Sequence, residues 1–328
     1  MANKSFLITG ALGCIGAWAV RNLVQAGTPV VVFDLGTDRR RLRLIMDEDA
    51  LAQVRFVQGD ITDLKQVEVV INDNGITHMV HLAGLQVPAC RANPVLGAQV
   101  NVLGTVNAFE AVKRSGGQVQ RIVFASSAAV FDVDDAKPGE PVAADAAGHP
   151  ATLYGVYKLA NEGTARVYSK ENGVSSIGLR PYIVYGPGRD QGLTSAPTKA
   201  MFAAAVGQRF HIPYGGRSDY EYADDTAKTF IACATVPFEG FEAFNTPGHV
   251  LGMRAIVSAI ETAAPEMRGQ ITFDDKQLPF PEAMDGAPLE RLLAPVGGVP
   301  KRDVNEAVAE TIRIFREAVA NGKADEMI

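Results

Sequence analysis

The sequence predicts an α/β fold, a doubly wound parallel sheet with a smaller C-terminal lobe, and three observations carry that expectation. The apolar run Ser5-Phe6-Leu7-Ile8 leads into Thr9-Gly10-Ala11-Leu12-Gly13-Cys14-Ile15-Gly16 and then into Ala17 to Val24, which reads as strand, tight turn and helix. Short apolar runs and longer amphipathic segments then alternate as far as Arg180, the pattern of parallel strands joined by right-handed helical crossovers. From Pro181 onward the alternation is lost and prolines and glycines interrupt the chain, so a second lobe is expected there.

Taken in order, the second strand is Pro29 to Phe33, ending in Asp34, and the third is Val54 to Val57, running into Gly59-Asp60-Ile61-Thr62-Asp63. Asp63-Leu64 opens a helix whose apolar residues recur at Leu64, Val67, Val70 and Ile71. Thr77 to Leu82 is a fourth strand, ending in Ala83-Gly84, and Val95 to Arg114 reads as one long helix with Val102, Val106, Phe109 and Val112 on one face. Gln120 to Ala125 is the fifth strand. Its apolar centre suits a parallel sheet covered on both faces. Asp132 to Ala151, rich in Asp, Ala, Pro and Gly, reads as a loop over the site. Thr152 to Glu171 returns to helix, Ser176 to Arg180 is a further strand, and an amphipathic helix from Val304 to Ala320 precedes a tail, Asn321 to Ile328, expected to fray. The division expected is a nucleotide-binding domain over 1–180 and a mainly substrate-binding lobe over 181–328, some of whose segments return to the sheet.

Length and composition bound the function. A chain of 328 residues exceeds what one core usually serves. A net charge of −6 leaves no basic surface for nucleic acid or anionic lipid, and neither a charged leader nor a membrane-length apolar run is visible, so a cytoplasmic protein is expected. Cys14, Cys90 and Cys233 are too scattered for a disulfide framework or a zinc site, and no metal is expected. Cys14 reads as a small packing residue.

The glycine turn carries the first chemistry. Gly10 permits the reversal, Gly13 lets backbone approach a pyrophosphate, and Gly16 lets the helix pack closely on the strand. The helix N-terminus adds unpaired N–H groups and a partial positive charge. Asp34 lies eighteen positions after Gly16, where a carboxylate accepts hydrogen bonds from an adenosine ribose and repels a 2′-phosphate, so NAD is favoured over NADP. Arg39, Arg40 and Arg41 follow, a flexible basic cluster within reach of such a phosphate, which softens that preference, although a solvated helix start is the reading preferred for them.

The second chemistry lies beyond the fifth strand. Tyr154 and Lys158, four apart, share one helical face. A phenol titrates near 10, too high for a base at neutral pH, and the lysine together with an oxidised nicotinamide is expected to favour the phenolate. Ser127, at the sheet's C-terminal edge, is placed to hold a substrate oxygen.

With these motifs the chain resembles the extended short-chain dehydrogenase/reductases of the NAD-dependent epimerase/dehydratase family over nearly its whole length. The matching segments are Thr9 to Gly16, Asp34, Gly59-Asp60-Ile61, His81-Leu82-Ala83-Gly84, Asn101 in Asn-Val-Leu-Gly-Thr, Ser126 to Phe131, Tyr154 with Lys158, Arg180 to Pro187, and Tyr220 to Asp225. The resemblance implies a Rossmann-type domain and bound NAD, held by Gly10, Gly13, Cys14, Ile15, Gly16, Asp34, Asp60, Ile61, Leu82, Ala83, Gly84, Asn101, Tyr154, Lys158 and Pro181. It also implies Ser127 as active-site serine and a homodimer through the helices starting near Val95 and Thr152.

Departures from the family pattern bear on the substrate. Relatives that act on nucleotide-sugars carry Asn and Arg, for the phosphates, where this chain has Ile183 and Ser218, although Arg217 stands next to the second. Dehydratases carry an Asp-Glu pair where this chain has Ala128-Ala129, so dehydration is not expected. What remains is hydride transfer at a secondary alcohol of a sugar, polyol or sugar acid without a nucleotide. The substrate candidates are Gln86, Ser127, Arg189, Ser195 and Arg217, with Thr194 and Tyr220 nearby, and either arginine suits a carboxylate. His211, between Phe210 and Ile212, reads as structural. The alternative is an NAD-retaining sugar or nucleotide-sugar epimerase, which shares every catalytic residue. A non-catalytic NAD-binding regulator is a remote third reading, and the intact catalytic residues weigh against it.

Overall fold

The computed structural model describes residues 4–136 and 140–323. Twelve strands run, in chain order, β1 (Phe6–Thr9), β2 (Val30–Asp34), β3 (Arg55–Gln58), β4 (His78–His81), β5 (Arg121–Ala125), β6 (Ser176–Arg180), β7 (Ile183–Tyr185), β8 (Phe210–Ile212), β9 (Arg217–Tyr222), β10 (Phe241–Asn245), β11 (His249–Gly252) and β12 (Ile271–Phe273). Seven form one parallel sheet in the order β10-β6-β5-β4-β1-β2-β3. All residues of β1 and β4 are buried, as strands covered on both faces must be. The winding reverses between β1 and β4. The crevice at their C-terminal ends is where such sheets bind ligands.

Local chemistry explains the helices on that sheet. Asp63 caps the helix Leu64–Asp73 by accepting from the backbone N–H of Lys65 and Gln66, and its periodic Val67, Val70 and Ile71 are buried. Thr152 caps the helix Leu153–Asn172, and Gly173 ends it at φ 68°, a conformation a β-carbon would strain. The single helix expected over Val95 to Arg114 is instead a helix at Pro94–Ala98, a π-turn at Gln99–Leu103 and a helix at Gly104–Arg114. The wider turn holds Asn101, and such turns cluster at functional sites. Periodicity alone does not reveal it, because one extra residue per turn only rotates the apolar stripe.

Beyond residue 180 the chain builds a three-stranded sheet, β11-β9-β7, and a pair, β12-β8, but it also returns to the large sheet, where β10 pairs with β6. The helix Ala223–Thr235 packs against the helix Cys14–Gln25. A single apolar core runs from Trp18 and Val20 through Tyr185 and Tyr222 to Phe230 and Phe315, so no apolar boundary separates the two halves. The Trp18 indole N–H donates to the Pro187 carbonyl at 2.9 Å, fixing the segment after β7 onto the first helix. The loop expected over Asp132 to Ala151 contains a short helical turn at Val133–Asp135 and docks through Val142, which packs with Phe131 and Met284. Residues 137–139 of that loop, and 324–328 of the tail expected to fray, lie outside the described residues. Among the described residues no helix is long and apolar enough to cross a membrane, and no group of His, Cys, Asp and Glu is placed to hold a metal ion.

Candidate active site

The glycine turn is a cradle that side chains would fill. A β-carbon on Gly10 would lie 2.5 Å from the Ala83 backbone nitrogen, and one on Gly16 would lie 2.6 Å from the Ala11 α-carbon. Gly13, at the N-cap of the helix Cys14–Gln25, offers no side-chain cap, and that helix has no acid in its first turn. Its leading N–H groups are left for an anion. Asp34 turns its carboxylate back to the turn, accepting from Leu12 N at 3.0 Å and Gly36 N at 3.0 Å. A carboxylate has about four acceptor sites, so both ribose hydroxyls can still be received. These residues fit the adenosine and pyrophosphate of NAD.

The three arginines after Asp34 are not a solvated helix start. Arg39 stacks on the Phe56 ring at 3.6 Å, while Arg40 and Arg41 both pair with the buried Asp190, at 3.0 and 2.7 Å. Arg41 also donates to the Leu12 carbonyl. Asp190 therefore clasps the segment after β7 to the glycine turn.

The other sequence-expected cofactor residues gather on the same side. Leu82 N bonds Thr9 O, and Ala83 N reaches the Thr9 hydroxyl. His81 bridges Thr9 and Thr105. Burial, helped by the Lys158 charge, takes it down to about 3, which keeps it a neutral structural link. Asn101 is buried and spends its amide on Leu85 and Cys90, so it positions the Gly84-Leu85 backbone. Ile61 is buried against Gly104, whose missing side chain leaves only 2.9 Å to an Ile61 methyl. Asp60 turns its carboxylate to Thr62 N. Pro181 accepts from Ala128 N, which holds the segment after Ser127 against the end of β6. The Cys14 thiol is pushed up to about 12 by burial, as befits a packing residue.

Ser127, Tyr154 and Lys158 meet at the edge of β5. Ser126 Oγ donates to Glu162, which Arg180 grips at 2.8 and 2.7 Å through two nitrogens, so a buried ion pair pins the serine turn to the helix Leu153–Asn172. Lys158 donates to the Ala125 carbonyl at 2.7 Å and lies 5.5 Å from the centre of the Tyr154 ring. Burial raises the Tyr154 pKa, and the groups pulling it down are the Ser127 hydroxyl and the Arg189 charge. Burial also lowers Lys158 to about 8, because its ammonium is desolvated.

The substrate candidates separate. Arg189 donates to the Thr194 hydroxyl at 2.9 Å, its Nε is buried without a partner, and its charge acts on Tyr154 and on Tyr214. Gln86 shares its surroundings: a β-carbon on Gly192 would lie 2.7 Å from Gln86 Oε1 and 3.7 Å from Arg189 Nη2. Ser195 is buried and donates to the Gly192 carbonyl. Arg217 lies 60% exposed beside Glu282, on the opposite face of β9 from Ser218, because side chains alternate along a strand. Neither Ser195 nor Arg217 reaches the catalytic tyrosine. Ile183 and Ser218 are both buried. His211 sits at the surface between Thr272 and Asp274. Sequence reasoning missed Tyr214 and Asp190. Nothing in the local pattern marks either, since each acts on residues distant in the chain.

The model of the NAD dependent epimerase/dehydratase family matches residues 6–246. UDP-glucuronate 4-epimerase 2 of Arabidopsis thaliana is 34% identical over 187 residues, 56% of this chain and 42% of that protein; the chain spans about half the length of these plant relatives. Among solved structures, Thermus thermophilus UDP-glucose 4-epimerase in complex with NAD superposes with a TM-score of 0.79 at 27% identity, over 96% of this chain and 99% of that one. An L-threonine dehydrogenase from Clostridium difficile gives a TM-score of 0.81 at 20% identity, over 97% and 99%, a likeness of fold alone.

Proposed function

The chain belongs to the NAD-dependent epimerase/dehydratase family and is an enzyme of that extended dehydrogenase/reductase type; from that premise we propose that it exchanges a hydride between NAD and a carbinol carbon of a carbohydrate-like substrate. The observation that carries this reading is the meeting of Ser127, Tyr154 and Lys158 at the strand edge beside the uncapped glycine turn. Bound there, NAD would supply the hydride acceptor and donor. Tyr154 takes the proton from the substrate hydroxyl during oxidation and returns it during reduction. Ser127 holds that oxygen by hydrogen bonding, and Lys158, anchored on Ala125, holds a positive charge under the phenol. With Ala128 and Ala129 after the serine, no added acid and base stand there to remove water.

Two outcomes of that step have separate support. Kinship favours an epimerase that retains its NAD, since the plant relative and the Thermus thermophilus protein named above are UDP-sugar 4-epimerases. The chain's own substrate side favours a dehydrogenase for a substrate without a nucleotide: at the two positions where phosphate contacts are expected stand a buried isoleucine and a buried serine. The experiment is to denature purified protein and count the nucleotide released. Near-stoichiometric NAD, with isomerised sugar as product, selects the epimerase. Protein that arrives empty, binds added NAD and forms NADH selects the dehydrogenase, and failure to bind NAD at all rejects the reading.

A cytoplasmic homodimer completes the proposal. Val95, Leu96, Leu103, Leu153, Val156 and Val167 are exposed apolar residues on the stretches expected to pair, and sedimentation at several concentrations tests it.

A further inference from the structure

Arg189 stands in the site without the partner its charge calls for. Among the described residues no carboxylate lies within ion-pair distance of it, and the adjacent Asp190 is turned away onto Arg40 and Arg41. One edge of its guanidinium is engaged by Thr194, and its Nε is buried and unbonded. Around it the same shortage recurs. The hydroxyl of Tyr214, a fully buried residue, has no hydrogen-bond partner, and the Arg189 charge pulls against the burial that raises this phenol. Buried polar atoms are almost always satisfied. A cluster of donors without acceptors implies that the acceptors come with a ligand.

We propose that Arg189, with the Tyr214 hydroxyl beside it, is a receptor for a substrate carboxylate close to the reacting carbinol, so that the enzyme acts on short hydroxy acids of the aldonate class. The proposal rests on the hydride-transfer reading and deepens it, and it holds for dehydrogenase and epimerase alike. A carboxylate matches the guanidinium fork with two parallel hydrogen bonds. A β-carbon on Gly192 would lie 2.7 Å from Gln86 Oε1 and 3.7 Å from Arg189 Nη2, which puts the guanidinium beside the segment that follows β4 and argues for a carboxylate on the same short skeleton rather than the remote diphosphate of a nucleotide-sugar. The buried Ile183 and Ser218 leave the expected phosphate positions without a donor that faces an anion.

The test is calorimetric titration of NAD-loaded protein with glycerate, threonate, arabinonate and gluconate, each against its neutral counterpart glycerol, threitol, arabinitol or glucitol, with glucose 6-phosphate and UDP-glucose as further arms. At least one acid is expected to bind while its polyol does not. Arg189→Met should weaken that acid about a hundredfold, with Arg189→Lys intermediate. Binding of UDP-glucose or the sugar phosphate in preference to every acid overturns the carboxylate assignment, as does an acid affinity that Arg189→Met does not alter. No binding of any acid overturns it too. NADH formation and isomerisation are followed separately: an acid that binds through Arg189 but is never turned over supports the receptor while rejecting the hydride-transfer reading, and turnover of polyols alone does the reverse.

Discussion

Along the wall made by β1, the glycine turn and Asp34, recognition is built from backbone: N–H groups at an uncapped helix start, glycines that leave no room for a β-carbon, and a carboxylate already held by two amides. The facing wall, from Gly186 to Ser195 with β9, is built from side chains, and several of their polar atoms have no partner in the chain. The first wall is complete before a ligand arrives, whereas the second is organised around something the chain does not contain. The difference shows why one family keeps a cofactor site and changes its substrate. Backbone geometry tolerates little alteration, while an arginine, a glutamine and a tyrosine can be exchanged singly.

The comparison can be tested where it is strongest. Tyr154→Phe removes the proton acceptor that both walls converge on; kcat is expected to fall about 10²–10⁴-fold while NAD affinity, measured by fluorescence titration, stays within a few-fold. Gly16→Ala strikes the backbone wall. Its β-carbon would meet the Ala11 α-carbon and the Gly10 carbonyl at 2.6 Å, so NAD affinity should drop about tenfold or more, with a stability loss of about 1–3 kcal/mol in denaturant titration. Equal loss of NAD and substrate binding on either change would mean that the walls are not independent. Asp190→Asn tests the clasp between them: with Arg40 and Arg41 losing their shared anion, Tm should fall and the affinities for NAD and substrate should both weaken, each by less than Gly16→Ala weakens NAD.

The smallest effect on catalysis is expected from the far side of β9. Asp219 is raised to about 7, chiefly by burial, and Glu221 to about 8 by burial and by the Asp219 charge. In the unfolded chain both ionise near their ordinary values of about 4. The folded protein therefore keeps protons that the unfolded chain has released. Stability should decline as pH rises from about 4 to about 8 and then level off. Thermal melts of Glu221→Gln should show a shallower decline than wild type with kcat unchanged; an identical slope would show that these acids do not set it.

Much of the fold was legible because its signals are local. Asp63 caps the helix that begins at Leu64, the apolar strands alternate with amphipathic helices, and Gly10, Gly13 and Gly16 announce a turn whatever surrounds it. The candidate site was legible to the same depth: Tyr154 and Lys158 are brought together by the helical repeat, and Ser127 by the end of a strand. The return of β10 to the large sheet was foreseen only as a general tendency, since a five-residue edge strand has no signal of its own. Arg217 and Arg189 were equal candidates in the sequence, yet strand alternation turns one to solvent beside Glu282 and the loop after β7 turns the other toward Tyr154.

The sequence by itself determined the family, the doubly wound sheet, the glycine cradle, Asp34 and the order of Ser127, Tyr154 and Lys158, because each depends on backbone conformation or on periodicity within a few residues. Tertiary structure alone decided that Arg217 lies exposed beside Glu282, and that Asp190 would reach Arg40 and Arg41 across 150 and 149 residues of chain. Those pairings arise from the packing of distant segments on one core, and contacts of that separation leave no mark on the residues immediately beside them.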